Sequence, residues 1–318
     1  MRAGAVVNPV AGRGRTLRGW PVVRARLVEA GWQLEEWRSE RPGHAVDLAA
    51  RLAERGCEAV LAVGGDGTAN EVTNGLWRAG ALGRVALGLV ALGTANDFAT
   101  CLGVARGPGG AADALLSGRR RRVDVGEVNG RCFVNVAGVG FDAEVARWVN
   151  ERTKLFRGTA MYVVGIFRTL VAYRPQEVEV RTDRERWRAR VFLVAVGNTP
   201  AYAGGVRMCP FALPDDGALE VVRIGDIRKV EVLWVLPLLY AGRHLAHPKV
   251  ARASCRELVV ESDPPLSVHA DGEPVGRTPA HFRLHPQALD VLVPEARLKP
   301  VGMVEKGGVS KAFPGSPT

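Results

Sequence analysis

Two textures divide the hydrophobic pattern of this 318-residue chain. Through residue 128, short apolar runs at 3–7, 32–37, 59–63, 85–92 and 123–128 alternate with stretches at 17–30, 44–54, 68–78 and 110–116 where apolar positions recur every three or four residues. The first kind fits strands buried on both faces, the second helices that bury one side. Their alternation predicts a doubly wound α/β domain with a parallel sheet. Beyond residue 128 the runs lengthen and turn signals separate them: RCFVNVAGVG, EVEVRT, RWRARVFLVAVGN, GALEVVRIG, RELVVES, PLSVHADGEPV, HFRLHP and ALDVLVP. Successive hairpin-like runs predict a mainly antiparallel, β-rich, sandwich-like second domain. Helical patterns at 142–173, broken at Gly158, and at 226–241 interrupt it. The expected organisation is a first domain over 1–128, a second over 129–298 whose last segment can return to the first, and a Gly/Pro/Ser-rich tail over 299–318 that frays.

Three strand ends of the first domain carry unusual residues. VGGDGTANE follows the third apolar run, and its second half nearly recurs after the fourth as GTAND, one βαβ step later. Gly64, Gly65 and Gly67 suit a backbone that takes positive φ and lets a ligand approach, while the following helix offers unpaired N–H groups to an anion. Asp66 beside phosphates calls for a cation, so the combination predicts phosphate with Mg²⁺. Thr68 to Glu71 also fits a capping box, with Thr94 to Asp97 as its relative, and capping alone would explain those residues. The first strand ends in Asn8-Pro9, a turn signal, ahead of Gly12 and Gly14. Loops at the carboxyl ends of neighbouring strands form the ligand crevice of an open α/β sheet, so all three are expected at one nucleotide site.

Composition narrows the partners. The formal charge of +10 favours nucleotide, nucleic acid or acidic membrane, and the run Arg119 to Arg122 reads as solvated surface or the start of a strand. Nucleic acid is not expected, because neither a helix-turn-helix pattern nor an aromatic stacking motif is present. Five scattered cysteines without a C-x-x-C pair suggest free thiols in a reducing cytoplasm. The longest apolar windows are shorter than the roughly 20 residues that span a bilayer, and no secretory pattern precedes Asn8, so a soluble protein is expected. No G-x-x-x-x-G-K-[ST] occurs, which excludes a P-loop NTPase.

In order along the chain, Asn8-Pro9-Val10-Ala11-Gly12, Gly64 to Glu71, and Gly93-Thr94-Ala95-Asn96-Asp97-Phe98-Ala99 resemble the motifs of the diacylglycerol kinase catalytic domain, in its bacterial soluble lipid-kinase form. The resemblance continues through Val123-Asp124-Val125-Gly126, Asn135, Gly138, Gly140-Phe141-Asp142, Gly197-Asn198, Asp215-Asp216-Gly217 and Asp271-Gly272-Glu273, to about residue 298. It implies ATP bound between two domains, with Asn8, Pro9, Val10, Ala11, Gly12, Gly64, Gly65, Asp66, Gly67, Thr68, Ala69, Asn70, Glu71 and Thr94 near it, and Ser39 where relatives often carry threonine. It implies Asp66, Asp97 and Asp124 around catalytic Mg²⁺, and Glu273 as general base supported by Asp271. It further implies a structural Mg²⁺ on the Asp216 side chain and the carbonyls of Leu213 and Ala218, and a bridge from Lys154 to Asp124.

The expected activity is transfer of the γ-phosphoryl of ATP to a lipid hydroxyl, diacylglycerol first, by a cytoplasmic enzyme peripheral to an anionic membrane. The apolar helices from Leu155 and Val230, with Arg157 and Arg168 near the first, read as core packing or as a surface that admits an acyl chain or touches the bilayer. Homodimerisation stays open. So do other lipid alcohols such as phosphatidylglycerol or sphingoid bases, a NAD kinase-like activity, and a catalytically silent binding regulator.

Overall fold

The computed structural model describes residues 1–152 and 159–295. Lys154 and Arg157 lie outside the described residues. The chain forms two compact units, one from Met1–Val125 with the segment after Pro286, the other from Gly126–His285.

The first unit runs β1 (Arg2–Val7), α1 (Arg15–Glu29), β2 (Gln33–Arg38), α2 (His44–Glu54), β3 (Ala59–Gly64), α3 (Asp66–Arg78), β4 (Ala86–Ala91), α4 (Asp97–Cys101), α5 (Pro108–Leu116) and β5 (Arg119–Val128). The sheet order is β2-β1-β3-β4, all parallel, and Val291 near the chain's last strand end extends it beside Leu87 of β4. Every residue of β3 and β4 is buried, which is why they read as unbroken apolar runs. Trp20, Val23 and Leu27 of α1 pack with Leu61, Val90 and Leu292 in the core. Because the chain leaves β1 towards β2 and β3 towards β4, the order reverses between β1 and β3. Loops diverge at such a switch point and leave a crevice at the strand ends. The basic run begins a strand: β5 starts at Arg119, and Arg120 and Arg122 approach Asp290.

The second unit contains β6 (Arg131–Phe133), β7 (Val136–Gly140), α6 (Phe141–Arg152), α7 (Thr159–Ala172), β8 (Gln176–Thr182), β9 (Arg186–Gly197), β10 (Leu219–Gly225), α8 (Lys229–Tyr240), β11 (Val250–Cys255), β12 (Glu257–Ser262), β13 (Ser267–Ala270), β14 (Glu273–Arg277) and β15 (Ala280–Val293). Among the described residues β9 is bonded antiparallel to β7, β8 and β10. Alternate residues of β9 face two cores. Val194 and Val196 join Phe133, Leu258 and Phe282, while Leu193 and Ala195 join the side covered by α6, α7 and α8. Two details depart from the sequence reading. The two last apolar runs are one strand, β15, and β11 escaped notice because VARASC carries little β-propensity and forms only through its ladder with β10.

His244 follows α8 fully buried, with Nε2 3.1 Å from the Met208 carbonyl and Nδ1 without a hydrogen-bond partner. Burial lowers its pKa from 6.5 to about 4. The unfolded chain therefore binds the proton more readily, so the stability His244 contributes is complete above about pH 6.5 and is lost as pH falls towards 4. Urea unfolding of the second unit is expected to show a loss of about 3 kcal/mol over that window. In His244→Gln that component should vanish; an unchanged pH slope would refute the assignment.

Candidate active site

The three motif loops meet within the first unit. Asn8 Nδ2 donates to Thr68 Oγ1 (3.1 Å), and the amides of Leu92 and Gly93 both donate to the Gly64 carbonyl at 2.9 and 2.7 Å. Arg15 fastens the first loop to the third, donating to the carbonyls of Gly12 (3.1 Å) and Gly93 (2.8 Å). Val10 donates its amide to Asn8 Oδ1, which shapes the turn through Pro9 and Ala11. Helical bonding in α3 begins with the Ala69 amide to the Gly65 carbonyl, so the preceding amides of Gly67 and Thr68 emerge from the helix N-terminus. Such an end attracts an anion.

The glycines serve a different purpose from the one expected. None of Gly64, Gly65 and Gly67 has positive φ; the left-handed residues are Gly12, Arg13 and Gly14 of the first loop and Asn96 of the third. A Cβ at Gly64 would lie 2.3 Å from Thr68 Oγ1, and one at Gly93 2.3 Å from the Gly65 Cα. Close approach of the loops, not backbone hand, excludes side chains there. A Cβ at Gly67 would meet nothing within 4 Å, which leaves open space above the helix end.

Neither capping box forms. The cap residue of α3 is Gly65, and that of α4 is Asn96 in left-handed conformation. Thr68 is inside α3, and Glu71 reaches sideways to receive the amides of Gly43 and Ala45, both at 3.0 Å, so it caps α2. Local pattern could not reveal this, because the partner amides are remote in sequence. Ala69 and Asn70 are buried within α3, where Asn70 accepts from Asn74. Thr94 is exposed, and Ser39 is buried at the end of β2 with its amide bonded to Val7.

Asp66 Oδ1 accepts the Phe98 amide (3.0 Å), so the first motif's carboxylate caps the helix that begins at Asp97. Asp97 is buried beside it in sequence, and Asp124 is fully buried with Oδ1 receiving the Gln287 amide at 2.7 Å. Among the described residues no three His, Cys, Asp or Glu side chains cluster closely enough to hold a metal alone. That donor set fits Mg²⁺, which commonly keeps waters and takes one or two carboxylates plus substrate phosphates. Next to these loops a cleft of about 320 Å³ is lined by Arg15, Arg18, Thr94, Asn96 and Arg106. The sequence reading missed the arginines; for Arg15 and Arg18 the signal lay in the basic residues interleaved through GRGRTLR.

The remaining predicted site residues lie in the second unit. Asp271, at positive φ in the turn between β13 and β14, receives the amides of Val134 (2.8 Å), Asn135 (2.9 Å) and Val136 (3.0 Å). This carboxylate is a backbone clamp that fixes the turn. Glu273 opens β14 and is exposed. Gly272, between them, lines an apolar cavity of about 490 Å³ whose walls include Val145, Ile166, Phe192 and Leu236. The Leu213 to Ala218 loop turns at Gly217 (φ 72°), and Asp216 Oδ1 receives the Ala218 amide at 3.1 Å. One carboxylate with neighbouring carbonyls is an all-oxygen donor set of the kind a hydrated Mg²⁺ takes.

Comparison with known proteins agrees with this division. Residues 2–128 match the diacylglycerol kinase catalytic domain, and residues 135–293 match the YegS C-terminal NAD kinase beta sandwich-like domain. The diacylglycerol kinase of Staphylococcus saprophyticus is 30% identical over 293 residues, 92% of this chain and 95% of that protein. That of Staphylococcus aureus strain MRSA252 is 29% identical, covering 92% of each. The crystal structure of a diacylglycerol kinase from Bacillus anthracis str. Sterne shares the fold at 21% identity and a TM-score of 0.68, over 92% of this chain and 97% of its own. A second solved chain from that organism reaches a TM-score of 0.77 at 24% identity, over 92% and 95%. With three motif loops gathered at a helix N-terminus of a parallel α/β unit and an apolar cavity in an antiparallel unit, this chain belongs to the diacylglycerol kinase family of lipid kinases.

Proposed function

We propose that this enzyme transfers the γ-phosphoryl group of ATP to the free hydroxyl of diacylglycerol, giving phosphatidic acid. The observation that carries the reading is the apolar cavity of about 490 Å³ with Gly272, neighbour of both Asp271 and Glu273, in its wall. Lipid pockets are concave and apolar with few polar groups, and this one puts an acyl chain's environment beside a carboxylate. The α3 N-terminus and the Arg15, Arg18 and Arg106 side chains suit the polyphosphate, with Asn8 and Thr68 joining the loops that flank it. Mg²⁺, when bound, neutralises and orients the phosphates; Asp66, Asp97 and Asp124 would hold it with its waters. Glu273 takes the proton of the lipid hydroxyl as that oxygen attacks, since an alcohol is a weak nucleophile until a nearby base receives its proton. Asp271 keeps the turn rigid through its three amides. A second Mg²⁺ on Asp216 and the Leu213 and Ala218 carbonyls would serve stability.

The test is ATP consumption with Mg²⁺ against vesicles carrying diacylglycerol, phosphatidylglycerol or a sphingoid base, and against NAD. Diacylglycerol should give the highest turnover. Turnover on NAD with none on any lipid would sink the reading.

The enzyme reaches its substrate by peripheral docking on an anionic bilayer through α7 and α8. Their exposed apolar side chains include Val164, Phe167, Val171, Leu233, Trp234 and Tyr240, with Trp234 77% exposed. Phe167 and Tyr240 also line the cavity, so its wall is continuous with this surface. Exposed Arg168, Arg228, Lys229 and Arg243 add positive charge for acidic headgroups. Among the described residues no helix is long and apolar enough to cross a membrane. Trp234→Glu should lower partition onto anionic vesicles in sedimentation by about tenfold, through lost apolar burial, while leaving turnover on a short-chain, monomeric lipid alcohol unchanged. Equal partition of the variant and the unaltered enzyme would exclude this face.

A further inference from the structure

Among the described residues lining the cavity, Asp142 and His269 are the only acidic and imidazole side chains, in walls otherwise built of apolar residues and two tyrosines. Both are almost entirely buried, and His269 Nε2 lies 3.0 Å from Asp142 Oδ2. The other ring nitrogen fixes the tautomer. The Gly272 amide donates to His269 Nδ1 (3.2 Å), and a backbone N–H can only donate, so Nδ1 is the acceptor and Nε2 carries the proton to Asp142. Asp142 Oδ1 in turn accepts the Ala143 amide at 2.9 Å.

Two further features are built around this pair. A Cβ at Gly138 would lie 2.2 Å from Asp142 Oδ2 and 2.8 Å from His269 Nε2, so a glycine leaves room for their bond. Tyr202 stacks on the imidazole at 5.9 Å between ring centroids with planes 11° apart, holding the ring's orientation. Gly272 is gripped from its other side as well, because Asn150 of α6 donates to its carbonyl at 2.9 Å. The chain of bonds thus runs from the cavity wall, through Asp142 and His269, to the amide of Gly272, the residue immediately before Glu273.

We propose that the Asp142–His269 pair is the positioning element that joins the lipid cavity to the Glu273 turn. It sets where the carboxylate meets the hydroxyl of a lipid alcohol lying in the cavity. The proposal rests on the lipid-kinase reading and on Glu273 as the base. His269 touches no reacting atom; its effect passes through the Gly272 peptide. Its loss shifts the base relative to the hydroxyl and so acts on kcat, with little change at the nucleotide. A misplacement on the order of 1 Å costs about 10²-fold in rate.

The arms of the ring can be tested separately. Asparagine at 269 reaches as far as Nδ1 and can keep the bond to the Gly272 amide; glutamine reaches as far as Nε2 and keeps only the arm to Asp142; leucine keeps neither. With lipid vesicles and saturating Mg-ATP, His269→Leu and His269→Gln should lower kcat by about 10²-fold while KM for ATP changes less than about twofold. His269→Asn should recover at least about tenfold of that loss even if its melting temperature matches that of the leucine variant. Unchanged kcat in all three variants, or an asparagine variant as slow as leucine, overturns the proposal while the lipid-kinase reading stands. If the unaltered enzyme phosphorylates no lipid alcohol, the reading fails first and the proposal with it.

Discussion

Asp66→Asn is expected to leave the first unit folded and to reduce phosphoryl transfer by about 10³-fold or more, whereas Asp66→Ala is expected to lose turnover and stability together. The carboxylate has two duties. One oxygen receives the Phe98 amide and so starts α4, a local cap that an asparagine carbonyl reproduces. The other, on the proposed mechanism, is negative charge towards a phosphate-bound cation, which asparagine cannot supply. Removing the cap as well should cost about 1 kcal/mol more, the usual worth of such a residue. Urea unfolding and turnover, measured on both variants, separate the two roles. If Asp66→Asn keeps full turnover at low Mg²⁺, the charge has no part in the reaction.

Glu273→Gln is expected to lower kcat on lipid by about 10²- to 10⁴-fold, the range associated with a general base, with nucleotide affinity nearly intact. Glu273 is exposed at the start of β14, so its replacement should leave unfolding unaffected. Asp271→Asn should behave in the opposite way. Asp271 accepts three amides through both oxygens, and an amide nitrogen in place of one would face a donor with a donor. A loss of about 2–4 kcal/mol follows from charged hydrogen bonds of this kind. Retained turnover in Glu273→Gln, with folding intact, would remove Glu273 from the base role.

Much of this was legible in the chain before any coordinates. β1, β3 and β4 announced themselves as apolar runs because both their faces are covered, and α2 follows its periodicity from His44 to Glu54. The sequence order of Asn8-Pro9, GGDGT and GTAND placed three loops at strand ends, and a parallel sheet brings such ends to one edge. What failed was local inference from motifs with two meanings. Thr68 with Glu71 has the spacing of a capping box, yet the carboxylate found amides on α2 instead. The glycines suggested positive φ, yet none of Gly64, Gly65 and Gly67 has it, and Gly65 instead serves close contact with Gly93 of the next loop. β11 carries no pattern of its own and exists because β10 offers it a ladder.

By itself the sequence determined the α/β unit, the β-rich unit and the order of the three motif loops at strand ends, because periodicity and strand-end motifs are local properties of the chain. Only the tertiary structure decided that Asp66 caps α4, that Asp271 clamps three amides and that Asp142 bonds His269 in an apolar wall. Each of those bonds joins groups far apart in sequence, and burial leaves a polar group strongly favouring whichever partner the fold brings within reach.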